Sequence, residues 1–168
     1  MKNLDPRSAL ADNAQRLVGV RLEELCAFVP AVLDPRAVTE LHDMRIAAKR
    51  LRYVLEALKP ITGAPGRRLA RQLARLQDVL GRFNDAMVAA GAVRAYVETH
   101  GDRLDRRVRD ALNAVGDAEL RRAGAAQAQF HRAWDRFAGK ATRRRRRALL
   151  AALKSAADAD HATPGRST

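Results

Sequence analysis

Apolar and polar positions recur with helical spacing along almost the whole chain. Apolar residues lie three and four positions apart in each long segment, and no segment alternates β-branched with polar residues as a strand would. The pattern therefore predicts an all-α protein. Seams with this spacing are typical of helices that pack at shallow angles, which favours an antiparallel bundle of four or more helices with short connections.

Proline, glycine and capping residues divide this pattern into segments. The chain is expected to turn at residues 62–66, where Thr-Gly-Ala-Pro-Gly interrupts the apolar seam. Asp102 is predicted to cap the fourth helix. The expected helices cover, in order, about residues 8–29, 35 or 37 to 59, 67–97, and 102–122.

Glycine is expected to interrupt two of these helices. Gly81 and Asn84 are weak helix formers inside the third helix, and they predict a kink or a close helix contact. Gly116 and Gly124 predict breaks within and after the fourth helix. A last aromatic face, expected in the core or in an interface, follows these glycines with helical spacing: Phe130, Trp134 and Phe137.

Length and composition indicate one domain. The chain has 168 residues, and 47% of them are hydrophobic, which suffices for a core. We expect a single helical domain over residues 1–154 and a disordered tail over residues 155–168, which are small and polar. The first 15 residues lack the apolar run of a signal peptide, and no apolar run approaches the roughly 20 residues of a membrane span. The expected location is the cytoplasm.

Charge narrows the class of partner. Lys and Arg total 32 against 19 Asp and Glu, so the net charge is +13. Such a field favours nucleic acid, an anionic membrane surface or an inorganic phosphate polymer. Cys26 is the one cysteine, which excludes an internal disulfide and a multi-thiolate metal site.

The most ordered charge lies in the second predicted helix. A cationic stripe, whose members recur three and four residues apart, runs one position after an apolar seam: His42, Arg45, Lys49 and Arg52. Only Asp43 is acidic between His42 and Arg52, whereas stripes that serve solubility usually interleave acids with bases. The stripe rises about 15 Å, so it matches an extended anion better than a single small one.

A second basic stripe is expected in the third helix, with Asp78 interrupting it: Arg68, Arg71, Arg75 and Arg82. If the second and third helices are antiparallel neighbours, both stripes are expected to border one basic cleft. The alternative is that both stripes are the solvated rims of a bundle. Asn84 and Asp85 either orient arginine side chains of the second helix or end the third helix.

These residues carry a family resemblance. The sequence His-Asp-Met-Arg at residues 42–45, followed by Lys-Arg-Leu-Arg-Tyr at 49–53, Leu-Gln-Asp at 76–78 and Asn-Asp at 84–85, resembles the CHAD family of conserved histidine α-helical domains. The resemblance spans roughly residues 38–90. It implies a helical bundle whose basic helices line a cleft, binding of inorganic polyphosphate, and an association with polyphosphate granules.

The resemblance also implies individual roles. It makes His42, Arg45, Lys49, Arg50 and Arg52 polyphosphate ligands, with Arg71 and Arg75 as further ligands from the next helix. Typical members have two pseudo-symmetric halves, whereas this chain has one good copy of the motif. We therefore expect a half-length member that completes a two-sided cleft as a homodimer.

Other classes of function have less support in the sequence. No Gly-rich phosphate loop and no His or Cys pair at metal spacing is present, so we expect no catalysis, metal or cofactor. Non-specific nucleic-acid binding is the main rival, because its backbone presents a similar phosphate array, although few aromatic residues are free to stack on bases. A third interpretation is that the chain is a helical structural scaffold. The run Arg143–Arg147 is either an accessory patch for polyanions or a solvated helix start.

Overall fold

The structure is a computed structural model that describes residues 10–28 and 38–162. Within these ranges it contains five α-helices, one short 3₁₀-helix at Gly101–Arg103 and no strand, which confirms the predicted all-α class. The helices are α1 (Leu10–Ala27), α2 (Val38–Ala57), α3 (Lys59–His100), α4 (Arg106–Ala138) and α5 (Lys140–Ala162). The predicted ends of the first helix and the start of the second lie outside the described residues.

Four of the helices pack as a ring. α1 contacts α2 and α5, and α3 contacts the same two helices on their other sides. α4 packs along α3 over most of its length and touches α5 only slightly. The long α3 therefore belongs to two units, the four-helix bundle and a hairpin with α4.

The core lies inside the ring and under the C-terminal half of α4. Each helix of the bundle contributes its apolar seam, and the seam of α2 is almost fully buried. The predicted aromatic face of α4 is confirmed, because Phe130, Trp134 and Phe137 are buried and their successive ring centroids lie 6.2 and 5.4 Å apart. Tertiary packing of this kind, rather than helix propensity, stabilises most protein helices.

The predicted turn at residues 62–66 is present as a sharp kink. Gly63 adopts φ 54° and ψ −142°, and it is the only non-helical position inside α3. Only glycine reaches this region without strain. The buried Thr62 hydroxyl donates to the Leu58 carbonyl at 2.9 Å, and a Cβ at Gly66 would collide with that hydroxyl. The sequence of the turn thus allows α2 and α3 to pack as an antiparallel pair.

The interruptions predicted further along were wrong. α3 continues without a kink through Gly81 and Asn84, and a Cβ at Gly81 would meet no atom of another helix within 4 Å. The alternative, a close helix contact, is present at Asn84, which lies within hydrogen-bond distance of His42 of α2. α4 likewise passes through Gly116 and Gly124 without a break. A glycine costs a helix only about 1 kcal/mol, and the long contact between α3 and α4 outweighs that cost.

Two helix ends also differ from the prediction. Asp105 caps α4, because its carboxylate accepts a hydrogen bond from the Arg107 amide at 2.8 Å. The predicted cap, Asp102, lies instead in the 3₁₀ turn. α5 continues to Ala162, so residues 155–162 are helical where a disordered tail was predicted. The rest of that tail lies outside the described residues, and the single-domain boundary remains a prediction.

Candidate anion-binding site

α2 displays the predicted cationic stripe on its surface. The neighbouring seam, formed by Leu41, Met44, Ala48, Leu51 and Leu55, is buried in the core. Burial of this seam fixes the rotation of α2 and turns the adjacent stripe outwards. His42 and Lys49 are exposed, and Arg45 and Arg52 are half-buried. The four groups therefore form a row along the edge of the bundle.

His42 is held by the next helix. Its Nδ1 atom lies 2.9 Å from the Asn84 Oδ1 atom of α3. Because an amide oxygen only accepts hydrogen bonds, Nδ1 carries the proton and donates. The ring is thereby oriented, and Nε2 is left as its second polar atom.

The far end of the stripe is held within α2. The Arg52 guanidinium lies 5.2 Å from the ring centroid of Tyr53, and the Lys49 ammonium lies 5.6 Å from the same centroid. Arg52 Nε also lies 3.6 Å from Glu56, which is an ion-pair distance but too long for a hydrogen bond. Contacts with an aromatic face hold both cations against the surface of α2.

Arg45 and Lys49 are the least neutralised members of the stripe. Neither forms an ion pair with any residue in the part of the chain that the structure describes. They lie one turn apart, at the centre of the row between His42 and Arg52. An anion that binds here would thus contact two cations that do not first have to break an ion pair with a carboxylate.

Arg50 lies on a different side of α2. It points about 100° away from Lys49 around the helix axis. It lines a cavity of about 390 Å³ between α1 and α2, together with the acidic residues Glu24 and Asp43. The structure therefore separates Arg50 from the other four predicted ligands on this helix.

The stripe of α3 lies on a different side of that helix from Asn84. Asn84 marks the side of α3 that faces α2, since it bonds to His42. Arg82 marks the side that faces α4, since it donates to Gln129 at 3.1 Å. Residues 82 and 84 are about 160° apart around a helix, whereas Arg71 and Arg75 lie within about 20° of Arg82. The basic residues of α3 therefore lie nearly opposite the side that contacts α2, and a cleft shared by the two stripes stays a prediction.

The basic run at the start of α5 is only partly committed to packing. Arg146 is half-buried, and one of its guanidinium nitrogens lies 3.6 Å from the Cys26 sulfur of α1. Arg143, Arg144 and Arg147 are exposed. Arg146 thus contacts α1, and the exposed arginines of the run remain on the surface.

Asn84 is the site residue whose role the sequence analysis missed. It neither ends α3 nor contacts an arginine of α2, but bonds to His42. A signal was present in the numbering, because an antiparallel hairpin centred on residue 63 places residues 42 and 84 at the same level. Asp85, which was considered with it, is exposed and lines a cavity of about 410 Å³ between α3 and α4.

The site and the fold define a class, an all-α basic bundle with a surface row of cations suited to an extended anion. The chain belongs to the CHAD domain family, whose model matches residues 2–94, more than half of the sequence. No curated protein and no solved structure matches the chain. Among the described residues, none of the helices has the length and apolar character needed to cross a membrane, and no cluster of ligating side chains fits a metal ion.

Proposed function

We propose that the chain binds inorganic polyphosphate without catalysis, and that the α2 stripe is its principal contact. The observation that carries the proposal is the central pair, Arg45 and Lys49, which is accessible and has no acidic partner among the described residues. Polyphosphate binding is consistent with the CHAD family. His42 and Arg52 extend the row in both directions, so successive phosphates of one chain contact successive turns of the helix.

The other predicted ligands have different places in this proposal. Arg71 and Arg75 contact the polymer only where it crosses to the other side of α3, and Arg50 only where it reaches the α1 side of α2. Since the chain carries one good copy of the family motif, a second copy of the protein supplies the second basic wall of a cleft. Retention at polyphosphate granules would follow from such binding.

The length of the anion tests the proposal. A single orthophosphate spans one or two cations of a row that rises about 15 Å, whereas a long polyphosphate contacts all of them at once. We expect calorimetric titration at ~0.15 M salt to give tight binding of the long polymer and no measurable binding of orthophosphate at the same phosphate concentration. Equal binding of both would contradict an extended site.

Substitution tests the role of His42. Its Nδ1 donates to Asn84, so Nε2 is the ring atom left for a phosphate, to which it donates in the charged form of the ring. His42→Gln should lower the affinity for long polyphosphate about tenfold or more, the value of one charge-assisted hydrogen bond. Calorimetric titration of the variant at ~0.15 M salt measures the loss. If His42→Gln binds as tightly as the wild-type protein, His42 has only a structural role.

A further inference from the structure

The hairpin formed by α3 and α4 extends beyond the bundle as an arm, which we define as residues 88–122. Only Ala90 and Gly101 are buried within it. Yet its sequence has the apolar seams of a packed helix pair, and Val93 of α3 lies against Gly116 of α4. Two helices bury only the apolar side chains that face each other. The other apolar side chains of the arm therefore stay exposed to water.

Exposed apolar side chains are concentrated on this arm. Of the seven large apolar side chains that are exposed among the described residues, five belong to it: Val88, Tyr96, Val108, Val115 and Leu120. Val108 and Val115 lie two turns apart on one side of α4, and each is nearly half exposed. Surfaces of this kind mark interaction sites when the apolar groups are contiguous.

Charge restricts what can cover the arm. It carries seven arginines and six acidic residues, so its net charge is only +1, and +12 resides on the rest of the chain. Without a polyanion between them, two copies of this protein repel each other at any strongly basic face. The arm is the long exposed element where a second copy can approach without that repulsion.

The charges on the arm also suit the pairing of two identical copies of the chain. A cavity of about 420 Å³ between α3 and α4 has Val93, Val97 and Leu120 in its lining. Arg94 and Asp117 line it too, and neither forms an ion pair with another described residue. In a two-fold arrangement, Arg94 of one copy faces Asp117 of the other, and the reverse contact forms automatically.

We propose that the arm is the surface through which two copies of this chain associate, with the Leu120 side chains at the centre and the Arg94 and Asp117 charges paired across a two-fold axis. The α3 and α4 helices of both copies then form a four-helix arrangement, which buries the apolar side chains that one pair of helices leaves exposed. The arrangement involves no contact of the α2 stripe, so it holds whether or not the protein binds polyphosphate.

Light scattering without any polyphosphate tests this surface. At tens of micromolar we expect the mass of two chains for the wild-type protein and of one chain for Leu120→Asp, because a buried carboxylate at the axis opposes association. Leu10→Asp, which alters an exposed leucine outside the arm, is the matched control and should keep the mass of two chains. A wild-type mass of one chain, or a Leu120→Asp mass of two, would overturn the proposal.

A mixing experiment tests the two-fold pairing itself. Arg94→Glu alone places two acids opposite each other, and Asp117→Arg alone places two arginines opposite each other, so each variant should dissociate at least tenfold more readily than the wild type. In an equimolar mixture every contact joins opposite charges, and the mass of two chains should return. A mixture that stays as single chains would overturn the pairing. Circular dichroism of each variant is the control that checks whether it is folded.

Discussion

Replacing Arg45 and Lys49 together with glutamate should reduce polyphosphate affinity roughly a hundredfold or more. Each residue is expected to make a charge-assisted contact worth about 1.5–3 kcal/mol, and two such contacts correspond to that factor. Reversal of sign adds repulsion at the centre of the row. Both side chains point away from the buried seam of α2, so the fold should persist and a direct titration should report binding alone.

The control for this change is a double reversal of equal charge elsewhere. Arg132 and Arg136 are exposed on the C-terminal half of α4, outside the arm, and form no ion pair with the described residues. Arg132→Glu with Arg136→Glu lowers the net charge by the same amount, and its affinity should fall only a few-fold through the weaker long-range field. Equal losses in the two double variants would show that net charge, and not the α2 stripe, does the binding.

Phe130→Ala should lower the free energy of unfolding by about 3–5 kcal/mol, as large-to-small changes of buried aromatic residues do. The Phe130 side chain is completely buried, and its ring lies beside that of Trp134 in the main core cluster. A loss of that size is a large fraction of the 5–15 kcal/mol typical of a domain. Denaturant titration should show a lower midpoint with an unchanged slope.

The companion change, Leu10→Ala, removes an exposed apolar side chain and should alter the free energy of unfolding by less than about 0.5 kcal/mol. A small effect of Phe130→Ala would mean that the C-terminal half of α4 does not pack as the structure has it. At temperatures where Phe130→Ala remains folded, its polyphosphate affinity should match the wild type, because Phe130 is not part of the α2 stripe.

Much of the fold follows from local patterns. The apolar seams identify the helices, and a short Gly-Pro segment identifies the sharp kink near the start of α3, because such signals depend only on neighbouring residues. Gly81, Gly116 and Gly124 were misleading because tertiary packing overrides a modest local preference. The cap at Asp105 was misplaced because a 3₁₀ turn shifted the start of α4 by a few residues.

The site was predictable only within a single helix. The α2 stripe depends on spacing within one element, and the structure has His42, Arg45, Lys49 and Arg52 along one edge of α2. The relation between helices depends on which side of α3 each neighbour occupies, and periodicity alone does not fix that side. The side of α3 that carries Arg71 and Arg75 was therefore not predictable from the sequence, and the bond between His42 and Asn84 was missed.

The central claim, polyphosphate recognition by the α2 stripe, is tested most directly by competition. Labelled long-chain polyphosphate would be bound to the protein at ~0.15 M salt and challenged with duplex DNA and with heparin at equal phosphate or sulfate concentration. We predict that polyphosphate stays bound, and that the Arg45→Glu, Lys49→Glu variant loses it. Displacement by both competitors, with no effect of the double change, would contradict the account, because binding would then arise from net charge alone.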